Sequence, residues 1–185
     1  PAARHHWKRL FVDRRTHVPF FVFFLSYAHP QRLQSSQRAM DAGEVDTLVA
    51  HAFKLVLALL GGPRSELLEH AIQECKVGED QSDLVFLITG FALVRSPSSE
   101  LPLLALRTLS TLCSAKDPRG QVVSLIGYFG PNPSAYCAEF VQMLGQPDVS
   151  EAVQEAVIQF LRAALPFQTA LTLQFLNGSP LPEAP

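Results

Sequence analysis

Cysteine is scarce in this chain of 185 residues. Cys75, Cys113 and Cys137 are odd in number and far apart, whereas a domain stabilised by disulfides carries a dense, even set. All three lie within apolar helical patterns, so we predict buried free thiols in a reducing compartment. Because no secretory signal is visible either, the expected location is intracellular, in the cytoplasm or the nucleus.

Charge is also sparse. Charged residues make up 17% of the chain and the net charge is −2, which argues against nucleic acid as a partner because such proteins carry a strongly basic face. The 48% of apolar residues is enough for a large core. Residues 1–17 are the basic exception, with five Lys or Arg against one Asp.

A long apolar run is missing. The longest candidate, residues 18–28, has eleven residues and four phenylalanines, whereas a transmembrane helix needs about 20 residues. We predict no transmembrane span and interpret this segment as a buried helix or an end-cap; a membrane-surface anchor is the alternative. Since the chain begins with Pro1 rather than Met, we expect it to be a fragment of a longer protein.

Catalytic signatures are absent as well. The sequence has no G-x-S-x-G elbow, no Walker loop, no G-x-G-x-x-G and no C-x-x-C. His70 and Glu74 are one helical turn apart and could bind a divalent metal, but a solvated polar face is the favoured interpretation. His51 lies in an apolar helix and is predicted to be a hydrogen-bonded core residue. We therefore predict no catalytic, cofactor-binding or metal-binding residue.

What the chain does contain is a series of apolar segments with helical period, separated by prolines. Most of the fourteen prolines fall between segments, and Pro102 falls in the first turn of a helix, where a missing N–H is harmless. The predicted helices cover residues 46–60, 65–75, 82–95, 101–113, 121–129, 134–144, 149–165 and 167–176. Ser82 and Asp83 are predicted to cap the third of them.

The clearest pair of helices spans residues 134–165. Asp148 is predicted to cap the second helix while Glu151 reaches back to the cap N–H, as in a capping box. The expected buried stripe of that helix comprises Ala152, Val153, Ala156, Val157, Phe160, Leu161 and Ala164. Neither helix can bury its stripe alone, so each needs a neighbouring unit.

Weak internal repetition accompanies this pair. Ala156 has counterparts in Ala105 and Ala71, and Leu144 has one in Leu93, at spacings of 51 and 34 residues. These spacings bracket the roughly 40–47 residues of armadillo and HEAT units. Over residues 41–176 the chain resembles the armadillo/HEAT superfamily, which implies an all-α, right-handed α-solenoid of about three to four units. No asparagine ladder like that of nuclear-import receptors accompanies the pattern.

The expected organisation is a basic arm (1–17), an aromatic packing or cap segment with a linker (18–40), the repeat domain (41–176) and a disordered Pro-rich tail (177–185). The resemblance implies an interaction surface, so the predicted function is that of a non-catalytic scaffold or adaptor.

The predicted partner is a protein or peptide, either a helix or an extended segment. The predicted contact residues are the outward polar side chains of the last helix in two units: Arg107, Thr108, Thr111, Gln154, Gln159 and Arg162. Arg107 and Arg162 are expected to contact an acidic or C-capping partner. Two alternatives remain: a regulatory helical domain attached to an enzyme such as a kinase, and attachment to a membrane or nucleic acid through the N-terminus.

Overall fold

The computed structural model describes residues 42–60, 76–77, 82–93, 100–116, 119–130 and 132–177. Six α-helices fill most of these ranges: α1 Ala42–Leu60, α2 Leu84–Ala92, α3 Glu100–Leu112, α4 Pro133–Met143, α5 Glu151–Ala164 and α6 Thr169–Asn177. The predicted all-α class is confirmed. The predicted basic arm, the aromatic segment, the helix at 65–75 and all of the predicted tail except Asn177 lie outside the described residues.

Helix α3 lies at the centre of the described packing. Helices α1, α2 and α5 all pack against it, so most of its surface is covered. Pro102 occupies the first turn, as predicted, where its missing N–H leaves no helical hydrogen bond unmade. The buried residues of α3 are Leu101, Pro102, Leu104, Ala105, Leu106, Thr108, Leu109 and Leu112.

One end of each helix in two successive pairs repeats at a shift of 51 residues. Helix α2 ends at Ala92 and α4 at Met143, while α3 begins at Glu100 and α5 at Glu151; both pairs differ by 51 residues, the spacing that the alanines and leucines predict. Burial follows the same shift: Leu106 and Val157 are fully buried, as are Leu109 and Phe160. Two helix pairs of similar dimensions therefore follow each other in the chain.

Aromatic rings fill the core beneath the second pair. Phe140 of α4, Phe160 of α5 and Phe175 of α6 meet edge to face, with ring centroids 5.5, 5.8 and 6.3 Å apart. Such contacts add about 0.5–1.5 kcal/mol each beyond the burial of apolar area. Because each helix supplies one ring, the cluster holds α4, α5 and α6 together; Phe53 and Phe91 make a similar 5.5 Å contact between α1 and α2.

A buried glutamine joins the second pair to α3. Gln168 lies between α5 and α6 and is 3% exposed. Its carboxamide nitrogen donates to the carbonyls of Cys113 and Val123, both at 2.8 Å, and its oxygen accepts from the backbone N–H of Leu125 at 2.9 Å. One side chain thus satisfies three backbone groups of the segment that follows α3, two of them buried and that of Val123 half-buried.

That segment corrects one prediction. A helix was expected at residues 121–129, but the structure has only a 3₁₀ turn at Ile126–Tyr128. An isolated β-bridge pairs Lys116 with Val122, and the N–H of Val123 donates to the carbonyl of Ala115. Because these bonds and those of Gln168 use the backbone groups that a helix would need, the chain stays irregular until residue 125.

The predicted cap of α5 is also wrong. Helix α5 is capped by Ser150, which has extended backbone and no side-chain cap bond, rather than by Asp148. The preceding turn is stabilised instead by Gln154, whose side-chain nitrogen donates to the carbonyls of Gln146 and Val149. Before α2, residues Ser82–Asp83 pair antiparallel with Lys76–Val77 as a two-residue β-ladder, so the helix begins at Leu84 rather than at residue 82. An N-cap residue is itself extended, so a capping role for Asp83 stays a prediction.

The predicted stripe of α5 is largely confirmed. Val153, Val157, Phe160 and Ala164 are buried, and Ala156 and Leu161 are half-buried. Ala152 is exposed, so the buried stripe is narrower than expected. Among the described residues, helix α5 is therefore covered on one side only, whereas α3 is covered on several.

Replacing Gln168 with leucine should destabilise the fold by about 2–4 kcal/mol, because two buried backbone groups and the half-buried carbonyl of Val123 lose their partner. Urea denaturation followed by circular dichroism measures the change. The control is Gln174→Leu on α6, where only a bond from the exposed Ser134 hydroxyl is lost; its cost should stay below about 1 kcal/mol. Equal costs for the two variants would show that the Gln168 bonds contribute little.

Gly130 offers a second test of the fold. Its φ is +82°, and a Cβ atom there would lie 2.6 Å from the Phe86 ring, which packs edge to face on Tyr136. Gly130→Ala should therefore cost about 1–3 kcal/mol in the same urea assay. A Cβ atom added at Gly127 would meet nothing within 4 Å, so Gly127→Ala should change stability much less.

Candidate interaction face

The exposed side chains of α3 form one narrow line. Because α1, α2 and α5 cover the rest of this helix, exposure is confined to Glu100, Arg107 and Thr111 within α3 and to Ser114 just after it. These positions recur at intervals of three to seven residues, which keeps them on one side of a helix. Any partner of α3 must approach along this line.

Helix α5 exposes a wider strip beside it. Its exposed residues are Glu151, Ala152, Glu155, Ile158, Gln159 and Arg162. Under the shift of 51 residues, Arg107 corresponds to Ile158 and Thr111 to Arg162, and all four are exposed. We call the exposed residues of α3 and α5, with Ser114, the α3–α5 face.

An ion pair connects this face to α1. The Lys54 ammonium lies 2.6 Å from a carboxylate oxygen of Glu100, and both side chains are 52% exposed. A pair so accessible to water contributes at most about 1 kcal/mol. The ion pair shows which side of α1 lies beside the α3–α5 face. Lys54 and His51 are both exposed on that helix, so the exposed surface continues from α3 onto α1.

The structure separates the six predicted contact residues into three groups. Arg107, Thr111, Gln159 and Arg162 are exposed on the α3–α5 face. Gln154 is half-buried and holds the turn before α5. Thr108 is fully buried, and its hydroxyl donates to the carbonyl of Leu104 at 2.8 Å, so it cannot contribute to a surface of this chain.

The hydroxyl groups of α3 are committed to their own helix. Those of Ser110 and Thr111 donate to the carbonyls of Leu106 and Arg107, at 2.8 and 3.0 Å, and that of Ser114 donates to the Thr111 carbonyl at 3.3 Å. Thr111 can still accept a hydrogen bond, but its proton is engaged. Arg107 is therefore the main donor that α3 offers to a partner.

The two arginines of the face differ from the lysine on α1 in their pairing. Within the described residues, neither Arg107 nor Arg162 has an ion-pair or hydrogen-bond partner for its guanidinium group. Each guanidinium presents five donors in a planar fork that matches a carboxylate. The face can thus bind carboxylates through these arginines without first breaking an ion pair within the described part of the chain.

Sequence reasoning missed two features of this region. Ile158 is 45% exposed and Leu165, just after α5, is 61% exposed, although both are aliphatic. A helical wheel of α5 contains the signal, because Ile158 and Leu165 fall on the same side as Glu151 and Arg162, opposite the buried stripe. The predicted contact residues were chosen for their polarity, so these two apolar residues were not among them.

The predictions on histidine are partly corrected. His51 is exposed rather than in the core, although its Nδ1 does lie 2.8 Å from the carbonyl of Thr47. No cluster of three or more His, Cys, Asp or Glu able to hold a metal ion occurs in the described part of the chain. His70 and Glu74 lie outside it.

Comparisons with known proteins do not identify a relative: the chain matched no family model, no curated protein and no solved structure. A search of the described helices for a membrane span found none with the length and apolar character that crossing a bilayer requires. Any assignment of function must therefore come from the geometry of the α3–α5 face.

Cys113 and Cys137 are buried free thiols, as predicted, and Cys75 lies outside the described residues. Burial raises the pKa of Cys113 to about 12 and that of Cys137 to about 11. Since the thiolate is the reactive form, both should be nearly inert at pH 8. They are therefore poor candidates for nucleophiles or redox sensors.

In a Cys75→Ser chain, Ellman's reagent at pH 8 should label the two remaining thiols at least about a hundredfold more slowly than in urea, because both the burial and the raised pKa oppose attack. Absorbance at the thionitrobenzoate wavelength measures the rate. Native labelling as fast as in urea would contradict the buried positions of Cys113 and Cys137.

Proposed function

We propose that this chain is a non-catalytic protein–protein interaction scaffold, an armadillo/HEAT-like right-handed α-solenoid that binds a protein or peptide partner on the α3–α5 face. The observation that carries the proposal is the packing order: α1 packs on α3, and α3 packs on α5. In a solenoid, the last helices of successive units stack in such a row and line one surface.

The shift of 51 residues adds to this. Under this shift the end of α2 corresponds to the end of α4 and the start of α3 to the start of α5, and the buried positions Leu106 and Leu109 correspond to Val157 and Phe160. Helix α1 takes the next place in the row by packing on α3, so three helices would line it. Ala71, the sequence counterpart of Ala105, lies outside the described residues. Helix α6 packs on α4 and α5 and lies outside the row.

The chemistry of the face favours an acidic partner. Arg107 and Arg162 are exposed and free of internal ion pairs among the described residues. Ile158, the counterpart of Arg107 on α5, offers an apolar contact one turn before Arg162. Arginine is one of the residue types that supply most of the binding energy in known interfaces. An extended or helical segment carrying carboxylates and one or two apolar residues would complement this set.

The test is an affinity capture with the tagged chain and an Arg107→Gln, Arg162→Gln variant, quantified by mass spectrometry. The direct partner should fall about tenfold or more in the variant, because truncating two interface arginines costs over about 1 kcal/mol each. Both residues are exposed, so the variant should melt at the wild-type temperature.

The matched control is Ala135→Glu with Ala170→Glu, which changes the net charge by the same −2. These two alanines are exposed in the first turns of α4 and α6, where acidic residues are favourable to the helix. The control should retain the partner. Identical protein sets from wild type, variant and control would remove the α3–α5 face as the binding surface.

A further inference from the structure

The exposed side of α5 carries opposite charges that cannot reach each other. Glu155 and Arg162 are both exposed and lie seven residues, or about two turns, apart, a rise of about 10.5 Å. Side chains on a helix pair at separations of three or four residues. Within the described residues neither side chain has an ion-pair or hydrogen-bond partner.

The same side carries apolar groups at the intervening and following positions. Ile158 lies between the two charges and is 45% exposed, and Leu165, one turn after Arg162, is 61% exposed. Phe167 follows in the turn to α6 and is 44% exposed. Single exposed aliphatic residues are ordinary; what distinguishes this strip is the symmetric placement of its charges around one of them.

The order of charges along the exposed side of α5 is complementary to that of a second α5 helix running in the opposite direction. If a second copy of α5 packs antiparallel on the first, Glu155 of each copy lies opposite Arg162 of the other. The midpoint of the two positions falls between Ile158 and Gln159, so a twofold axis would pass beside Ile158. A twofold interface requires such a self-complementary patch, in which each contact occurs twice.

We infer that the exposed side of α5 is a homodimer contact: two copies of this chain associate through antiparallel α5 helices, with Ile158 packed on its own counterpart and two Glu155–Arg162 pairs flanking it. The inference rests on the proposed function in that it names a second copy as the partner of the α5 part of the α3–α5 face, so a second copy and the acidic partner would compete for Arg162. The α3 part, with Arg107, stays accessible to another protein.

The strength of this association should be modest. One helix face and the adjoining turn bury less area than a standard interface, and exposed ion pairs add about 0–1 kcal/mol each. We expect a dissociation constant on the order of tens of micromolar. Sedimentation velocity from about 5 to about 500 µM covers that range, and the wild-type sedimentation coefficient should rise with concentration.

Charge reversal gives the decisive experiment. Arg162→Glu alone places two acidic pairs at the interface, and Glu155→Arg alone places two basic pairs, so each variant should self-associate at least about tenfold more weakly. An equimolar mixture of the two variants should dimerise again, because the heterodimer pairs Glu with Arg at both ends. Both positions are exposed, so the variants should remain folded.

Glu139→Arg is the control, since Glu139 is exposed on α4 and the substitution changes the charge as Glu155→Arg does; it should leave self-association unchanged. A wild-type chain that is monomeric throughout the range, a dimer insensitive to both reversals, or a mixture that fails to recover would each overturn the inference. The two proposals fail separately. A monomeric wild type would overturn the dimer without changing the result of the affinity capture, and a capture result that the arginine variant leaves unchanged would not affect the dimer.

Discussion

The carboxamide of Gln168 is the interaction on which the arrangement of the described helices depends most. It lies in the turn between α5 and α6, yet its three hydrogen bonds all reach the segment after α3, 43 to 55 residues earlier in the chain. Hydrophobic burial is non-directional and tolerates some sliding of one helix on another. Three directed bonds to Cys113, Val123 and Leu125 do not, so they set where the second helix pair lies along α3.

From that attachment the rest follows by packing. Helix α3 is fixed against α5 at one side and against α1 and α2 at others, which leaves only Glu100, Arg107 and Thr111 of α3 exposed. Within the described packing, helix α5 has no comparable cover on its outer side, so Glu155 and Arg162 remain accessible there. Two helix pairs of similar dimensions follow each other in the chain, and the neighbours that cover each helix decide which of its residues can meet another molecule.

The sequence predicts the regular elements well where the signal is local. The Gly61-Gly62-Pro63 sequence marks the end of α1 at Leu60, and the Pro133 and Pro147 flanks bracket α4. The stripe of α5 also follows from period alone. The predicted helix at 121–129 failed because the bonds that replace it come from Ala115 and Gln168, and no short window of sequence contains both ends of such a contact.

The residues of the candidate face are also only partly predictable from the sequence, because their exposure depends on tertiary packing. Polar identity correctly indicated Arg107, Gln159 and Arg162 as exposed, but it also indicated Thr108, which α3 buries. How many neighbours cover a helix is a tertiary property, and α3 has three in the described packing. A helical wheel of α5 does predict that Ile158 is exposed, since it places Ile158 on the same side as Arg162.

The hydroxyl groups of α2 and α3 have a consequence for how this region can vary between sequences. Thr89, Thr108 and Ser110 each donate to the carbonyl four residues earlier in their own helix, so none of them needs a polar partner on a neighbouring helix. An exchange for an apolar residue of similar shape would leave no unsatisfied group elsewhere. Related chains should therefore carry either a hydroxyl or an aliphatic residue at these positions. They should keep glutamine at position 168, because the partners of Gln168 lie on another segment.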